Sequence, residues 1–234
     1  MQTTTSGRPG SWFYTLIGVT VFAIALVGFS RTYYLRPWFQ AQPLTWRLHL
    51  HGFAQTLWLV LFVTQGTLVA TGRRRLHRAL GVAGVALAAV ATIATYLAAT
   101  EAARLPARGA LTSVDRLYSS VVILVLFAAF VALGTAFRRR PELHKRCMLL
   151  ATISVVGPAV TRAVVLAVGH GIRDAHVPVM ACLVLAAVAY DWWNRGRPHG
   201  VLLCGGGLLL ASQVTRRWIG GSEAWAALGT WLIG

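Results

Sequence analysis

The chain has 234 residues, 56% of them hydrophobic and only 12% charged, with a mean hydropathy of +0.63. Soluble domains carry about a quarter charged residues, so this composition cannot build a water-facing surface and lipid must cover much of the molecule. The net charge of +16, from 22 Lys and Arg against 6 Asp and Glu, points to no nucleic-acid partner, because the Arg residues sit in short runs between apolar stretches, where they act as orientation signals.

A helical span needs about 20 apolar residues to cross about 30 Å of hydrocarbon. Seven stretches of roughly that kind follow one another. The first, Ser11–Ser30, is longer than a signal-peptide core and lacks a small-x-small cleavage site, so it reads as a retained span. The second is Leu48–Gly72, the third His77–Thr100, the fourth Ser113–Phe137, the fifth Lys145–Val168 and the sixth Val177–Trp193. The seventh, His199–Val214, is short and carries Gly205, Gly206 and Gly207. From Arg216 to Gly234 the chain holds Trp218, Trp225 and Trp231, the composition of an interfacial tail. The expected fold is therefore all-α: one transmembrane helix bundle over residues 1–234, with about seven spans and an interfacial tail over 216–234. Cys147, Cys182 and Cys204 lie in or beside apolar stretches without a CxxC pair, as small buried apolar residues do.

Charge sets the expected orientation. The two densest clusters are Arg73, Arg74, Arg75 and Arg78, and Arg138, Arg139, Arg140, Lys145 and Arg146. Both fall on one side of the bundle when the spans alternate. Positive loops stay cytoplasmic, which puts the N-terminus (with Arg8) inside and the C-terminus outside. Arg31, Arg36, Arg47, Arg104, Arg108 and Arg116 fall on the other side. An internal repeat accompanies this pattern. Leu59-Val60-Leu61-Phe62 recurs as Leu124-Val125-Leu126-Phe127, and the Arg73–Arg75 run recurs as Arg138–Arg140. Each run is followed by a Leu-His pair, Leu76-His77 and Leu143-His144, so spans two and three resemble spans four and five.

The histidines fall into two layers. His77, His144 and His199 lie at the inner boundary; His49, His51, His170 and His176 lie at the outer one. Paired imidazoles from different helices are what a bis-histidine haem requires. Gly81 and Gly84 stand one and two turns beyond His77 on its own helix face, where they give room to a haem edge or to a packed helix. His51 with His170 or His176 is the matching outer set, for a second haem or a quinone. His49 and His51 also raise zinc, although no HExxH or Cys-rich pattern accompanies them. Retinal is excluded by the position of the sole lysine, Lys145, at a helix end.

Arg162 stands deep in an apolar run. Such a charge is costly and serves an anionic group, such as a haem propionate or a quinone oxygen, or an ion pair. Its eighteen-residue separation from His144 places both on one face of a continuous helix. Among acidic residues, Glu101 and Asp115 are the outer-side candidates to partner it, while Asp191 lies near the inner end of the sixth span, on the other side. Along the second span, His51, Gln55, Trp58, Phe62 and Gln65 form one polar and aromatic stripe that should face the bundle interior.

The His51 opening of one span, His77-Arg78 with Leu80-Gly81 opening the next, and His144 with Met148 and then Arg162 together resemble a large group of uncharacterised bacterial multi-span membrane proteins, classed as a domain of unknown function. The resemblance covers about residues 48–165 and implies a membrane bundle without assigning an activity. A looser similarity is to the di-haem membrane cytochromes b, which pair His across four helices in two layers; the His spacing along any one helix here is not theirs. Two functions follow as expectations. One is a membrane redox protein holding haem b, with quinone as a further ligand: His77 and His144 inside, His51 with His170 or His176 outside, Arg162 as counter-charge. The other is a non-catalytic accessory subunit or small-molecule or lipid carrier, in contact with lipids and other membrane subunits.

Overall fold

The structure is a computed structural model that describes residues 12–39, 43–104 and 113–233, with the side chains of 113–116 and 233 left aside. Arg8, Ser11, Arg108 and Gly234, and the side chains of Asp115 and Arg116, thus lie outside the described residues. Among the described residues there are ten α-helices, one π-helical turn and no strand. They are α1 (Trp12–Phe29), continued by the π turn Ser30–Tyr34, α2 (Arg36–Phe39), α3 (Trp46–Ala70), α4 (Arg74–Arg104), α5 (Ser113–Ala136), α6 (Pro141–Ser154), α7 (Gly157–Val168), α8 (His176–Arg195), α9 (Gly200–Gly220) and α10 (Glu223–Ile233).

The protein is an all-α membrane bundle. Five helical segments are long and apolar enough to cross a membrane: Trp12–Tyr34, Trp46–Ala70, Arg74–Arg104, Leu117–Ala136 and His176–Arg195. The pair α6 and α7 makes a sixth if counted as one bent span. The seventh expected stretch does form a helix, α9, running past Val214 to Gly220. Its glycines, Gln213, Arg216 and Arg217 keep it below the apolarity of the others. The side chains facing outward confirm the solvent: Val82 is 76% exposed, Leu16 63% and Leu185 61%, an apolar surface that only lipid would cover stably.

Packing follows small residues. Gly84, Ala88, Ala91, Ala94 and Ala98 form the buried stripe of α4, which lies between α3 and α5. Stripes of this kind let helices approach in a membrane, where lipid removes the hydrophobic drive between them. Gly205 and Gly206 do the same for α9. A Cβ on Gly205 would stand 2.6 Å from Leu150, and one on Gly206 2.6 Å from Val184. The main core gathers Val21, Phe127, Leu149, Leu150, Ile153, Met180, Leu202 and Leu209.

Two expectations change here. The fifth stretch is not one straight helix: α6 and α7 meet at a 40° bend. Pro158, near the start of α7, has no N–H, and its ring crowds the carbonyl four residues earlier, on Ser154, where α6 ends. The tail is also more than interfacial. Trp218 and Trp231 are exposed, but Trp225 on α10 is buried, edge-on to Tyr118 with ring centroids 4.9 Å apart, in a small second core with Ala99, Ala103 and Leu117.

Candidate functional site

At the Arg-rich end of the bundle, two histidines from different helices meet. His77 lies in the first turn of α4, after a tight turn in which Gly72 takes a left-handed conformation, φ +75°. His144 lies in the first turn of α6, which begins at Pro141, a residue already set for helix entry. Their half-buried rings stand edge to face, with centroids 6.2 Å apart and planes at 82°. His144 Nδ1 lies 2.8 Å from the Gly134 carbonyl. A carbonyl only accepts, so Nδ1 carries the proton and the neutral ring leaves Nε2 as a lone pair. Gly134 matters for this contact. A Cβ there would sit 2.5 Å from Met148 Cε and 3.2 Å from Cys147 Cβ, so its absence lets α6 come close enough for His144 to reach α5. His77 Nδ1 is buried and has no hydrogen-bond partner.

The two glycines beyond His77 differ. A Cβ on Gly84 would meet Leu61 at 2.9 Å, so the space beside it is taken by α3. At Gly81 only the Gln65 amide comes near, at 3.9 Å, and Gln65 Oε1 is itself buried without a partner. Gly81 is therefore the open side of the pair.

Next to it lies a cluster that sequence reasoning missed. Arg146 was grouped with the orientation charges, yet its side chain is fully buried. Its Nε donates to Asp191 Oδ2 at 2.8 Å and its Nη2 to Asp191 Oδ1, while Nη1 donates to the Glu142 carbonyl at 2.6 Å and to Glu142 Oε2 at 2.7 Å. Asp191 Oδ2 also accepts the His199 backbone N–H at 3.1 Å. His199 in turn accepts the Val201 N–H on its Nδ1 at 3.1 Å; it caps α9 instead of joining the other two histidines. Arg146 and Asp191 are 45 residues apart on different helices, and no local pattern links them.

At the opposite end, the His51–Gln55 stripe faces inward as expected. His51 Nδ1 and Gln55 Nε2 both lie 3.1 Å from Thr95 Oγ1. The Thr95 hydroxyl donates its only proton to the Ala91 carbonyl at 2.7 Å, so its oxygen accepts from both. Arg162 lies within electrostatic reach of His51. Its guanidinium carbon is 4.7 Å from the centre of the Phe29 ring, and Nη1 donates to the Pro158 carbonyl at 3.1 Å. The bend puts Arg162 on a different axis from His144, so the shared helix face expected for them does not exist. Nor does an acidic partner stand within ion-pair reach of Arg162 among the described residues. Glu101 accepts from the Thr45 hydroxyl at 2.6 Å, and Asp191 belongs to Arg146.

The remaining outer histidines go elsewhere. His170 is exposed, with Nδ1 3.1 Å from the Val168 carbonyl of its own turn. His176 is buried near Gln213, Arg216 and Asp174. No hydrogen bond or ring contact joins either to His51 among the described residues. His49 lies near Tyr33, ring centroids 6.0 Å apart. These two line an open hollow of about 480 Å³ with Trp46, Leu50 and Phe53, on the face of α3 turned away from His51 and Gln55.

No protein-family model, curated protein or solved structure matches the chain. What it can do chemically rests on the two clusters alone. Among the described residues no three His, Cys, Asp or Glu side chains converge as a metal ion would need.

Proposed function

We propose that the protein, a member of the uncharacterised multi-span group it resembles, is a redox protein of the bacterial cytoplasmic membrane that holds haem b at its inner, Arg-rich end, with His77 and His144 as the axial ligands. The N-terminus is then cytoplasmic and the C-terminus outside. The observation that carries this reading is the meeting of two imidazoles from α4 and α6 at 6.2 Å. A bare zinc ion wants about four ligands, three or more from protein. A haem brings its own equatorial nitrogens and asks the protein for only two.

The donor chemistry suits that group. His144 is held in one tautomer by the Gly134 carbonyl, the backbone hydrogen bond that orients ligating histidines and raises their basicity. His77 has a buried nitrogen with no hydrogen-bond partner, which a metal bond would satisfy. Gly81 leaves the flank open, and Arg78, beside His77, is the nearby cation for a propionate. Bound there, haem b would supply one-electron transfer; this chain would hold it, set the tautomer of a ligand and shield it from water. Gly84 has no part in this, its flank being filled by Leu61, and Arg162 belongs to the opposite end.

A visible spectrum of the detergent-purified protein tests the reading. A Soret band is expected, lost in His77→Ala and in His144→Ala variants that keep their helicity and elution volume. Protein that is folded yet carries no Soret band and no iron removes the haem reading and leaves the accessory-subunit or carrier reading in its place.

A further inference from the structure

The polar group at the other end has its own ligand requirement. Because Thr95 donates to Ala91, His51 must donate to Thr95 through Nδ1, and the neutral ring then presents Nε2 as an acceptor. Gln55 spends Nε2 on the same hydroxyl, and its Oε1 is buried with no partner. Two acceptors are thus left over beside Thr95. The donors are Arg162, whose guanidinium is met among the described residues by the Pro158 carbonyl and the Phe29 ring, and Trp58 Nε1, buried and unpartnered one turn beyond Gln55. Buried polar atoms without a protein partner are completed by water or by a bound group. The missing group must both donate and accept.

We propose that His51, Gln55 and Arg162 bind the headgroup of a quinol, an aromatic ring with two hydroxyls and an apolar tail. A hydroxyl can donate to Gln55 Oε1 or His51 Nε2 while its oxygen accepts from Trp58 or Arg162. A quinone has only acceptors, as has a phosphodiester, and either would leave the Gln55 oxygen unpaired at a cost. Arg162 is exposed at the protein surface within the apolar region, so the site opens toward lipid, where the tail would lie. The proposal names the electron-carrying partner for the redox reading above and rests on that reading for its role. The binding itself needs only the outer residues.

The test compares decylubiquinol and decylubiquinone on the purified protein in detergent, without oxygen, by equilibrium binding. The quinol should bind about tenfold or more tightly than the quinone, the size of one buried acceptor left unpaired. Gln55→Met should remove most of that preference, Arg162→Gln should weaken both ligands, and Gly207→Ala, at a position with open space beside it, should change neither. The preference on the unaltered protein stands whether or not a variant folds. Equal binding of the two forms, or binding of neither, overturns the proposal. So does displacement of the quinol by phosphatidylglycerol in a manner that depends on Arg162, which would make this a lipid-headgroup site. A missing Soret band with a retained quinol preference would sink the haem reading and leave this one intact.

Discussion

A buried charge in this protein is tolerable only where its hydrogen-bonding capacity is used up. Arg146 comes close to that condition, with Asp191 and Glu142 taking four of its five N–H donors. A buried ion pair adds little net stability, because desolvation offsets attraction, but removing one partner strands the other. Asp191→Ala should therefore destabilise the protein by about 3–5 kcal/mol, read as a drop in thermal midpoint in detergent. The double variant Arg146→Leu with Asp191→Leu should recover most of the loss. A single variant as stable as the parent would show that water reaches Arg146. Arg162 is the opposite case. Unlike Arg146 it was legible in the sequence as an intramembrane charge, and with no acidic partner among the described residues it is free to serve a ligand.

Helix contacts decide where such residues meet, and here they depend on glycines at particular depths. Gly28 on α1 faces α7 so closely that a Cβ would lie 2.1 Å from the Ala159 carbonyl oxygen. Backbone cannot swing aside as a side chain can. Gly28→Ala should cost about 1–3 kcal/mol, as overpacking does, and should loosen Phe29 from Arg162, lowering the thermal midpoint. Gly207→Ala is the control: nothing lies within 4 Å of a Cβ there. Alanine in mid-helix should leave the midpoint unchanged or raise it slightly. If both variants behave alike, the close approach of α1 and α7 is not what holds them. The bend between α6 and α7 is legible in the sequence from Pro158, and it is what turns Arg162 off the His144 face.

Seen whole, the bundle wears lipid on its flanks and aromatic side chains toward its ends: Trp193 is 90% exposed, Trp218 and Trp231 76% and Trp38 75%. Such aromatics favour the membrane–water boundary. The orientation proposed above can be checked on a background with Cys147, Cys182 and Cys204 replaced. In intact cells a membrane-impermeant maleimide should label Gly171→Cys, while Arg139→Cys should react only after permeabilisation. The reverse pattern would invert the protein and put the His77–His144 pair on the outer face.

The chain's composition and apolar periodicity were enough to determine a helical membrane bundle, because in hydrocarbon every backbone polar group must be satisfied within its own segment, and the sequence of one segment therefore suffices to show it. They were enough, too, to put His77 and His144 at equal depth, since both follow matching Arg runs at helix starts. Tertiary structure alone decided that those rings meet, that Gly84 is filled by Leu61, that Arg146 takes Asp191, and that Thr95 gathers His51 and Gln55. Each of these joins residues on different helices, and which side chains touch depends on the rotation and separation of those helices, set by small residues and one proline break spread along the chain.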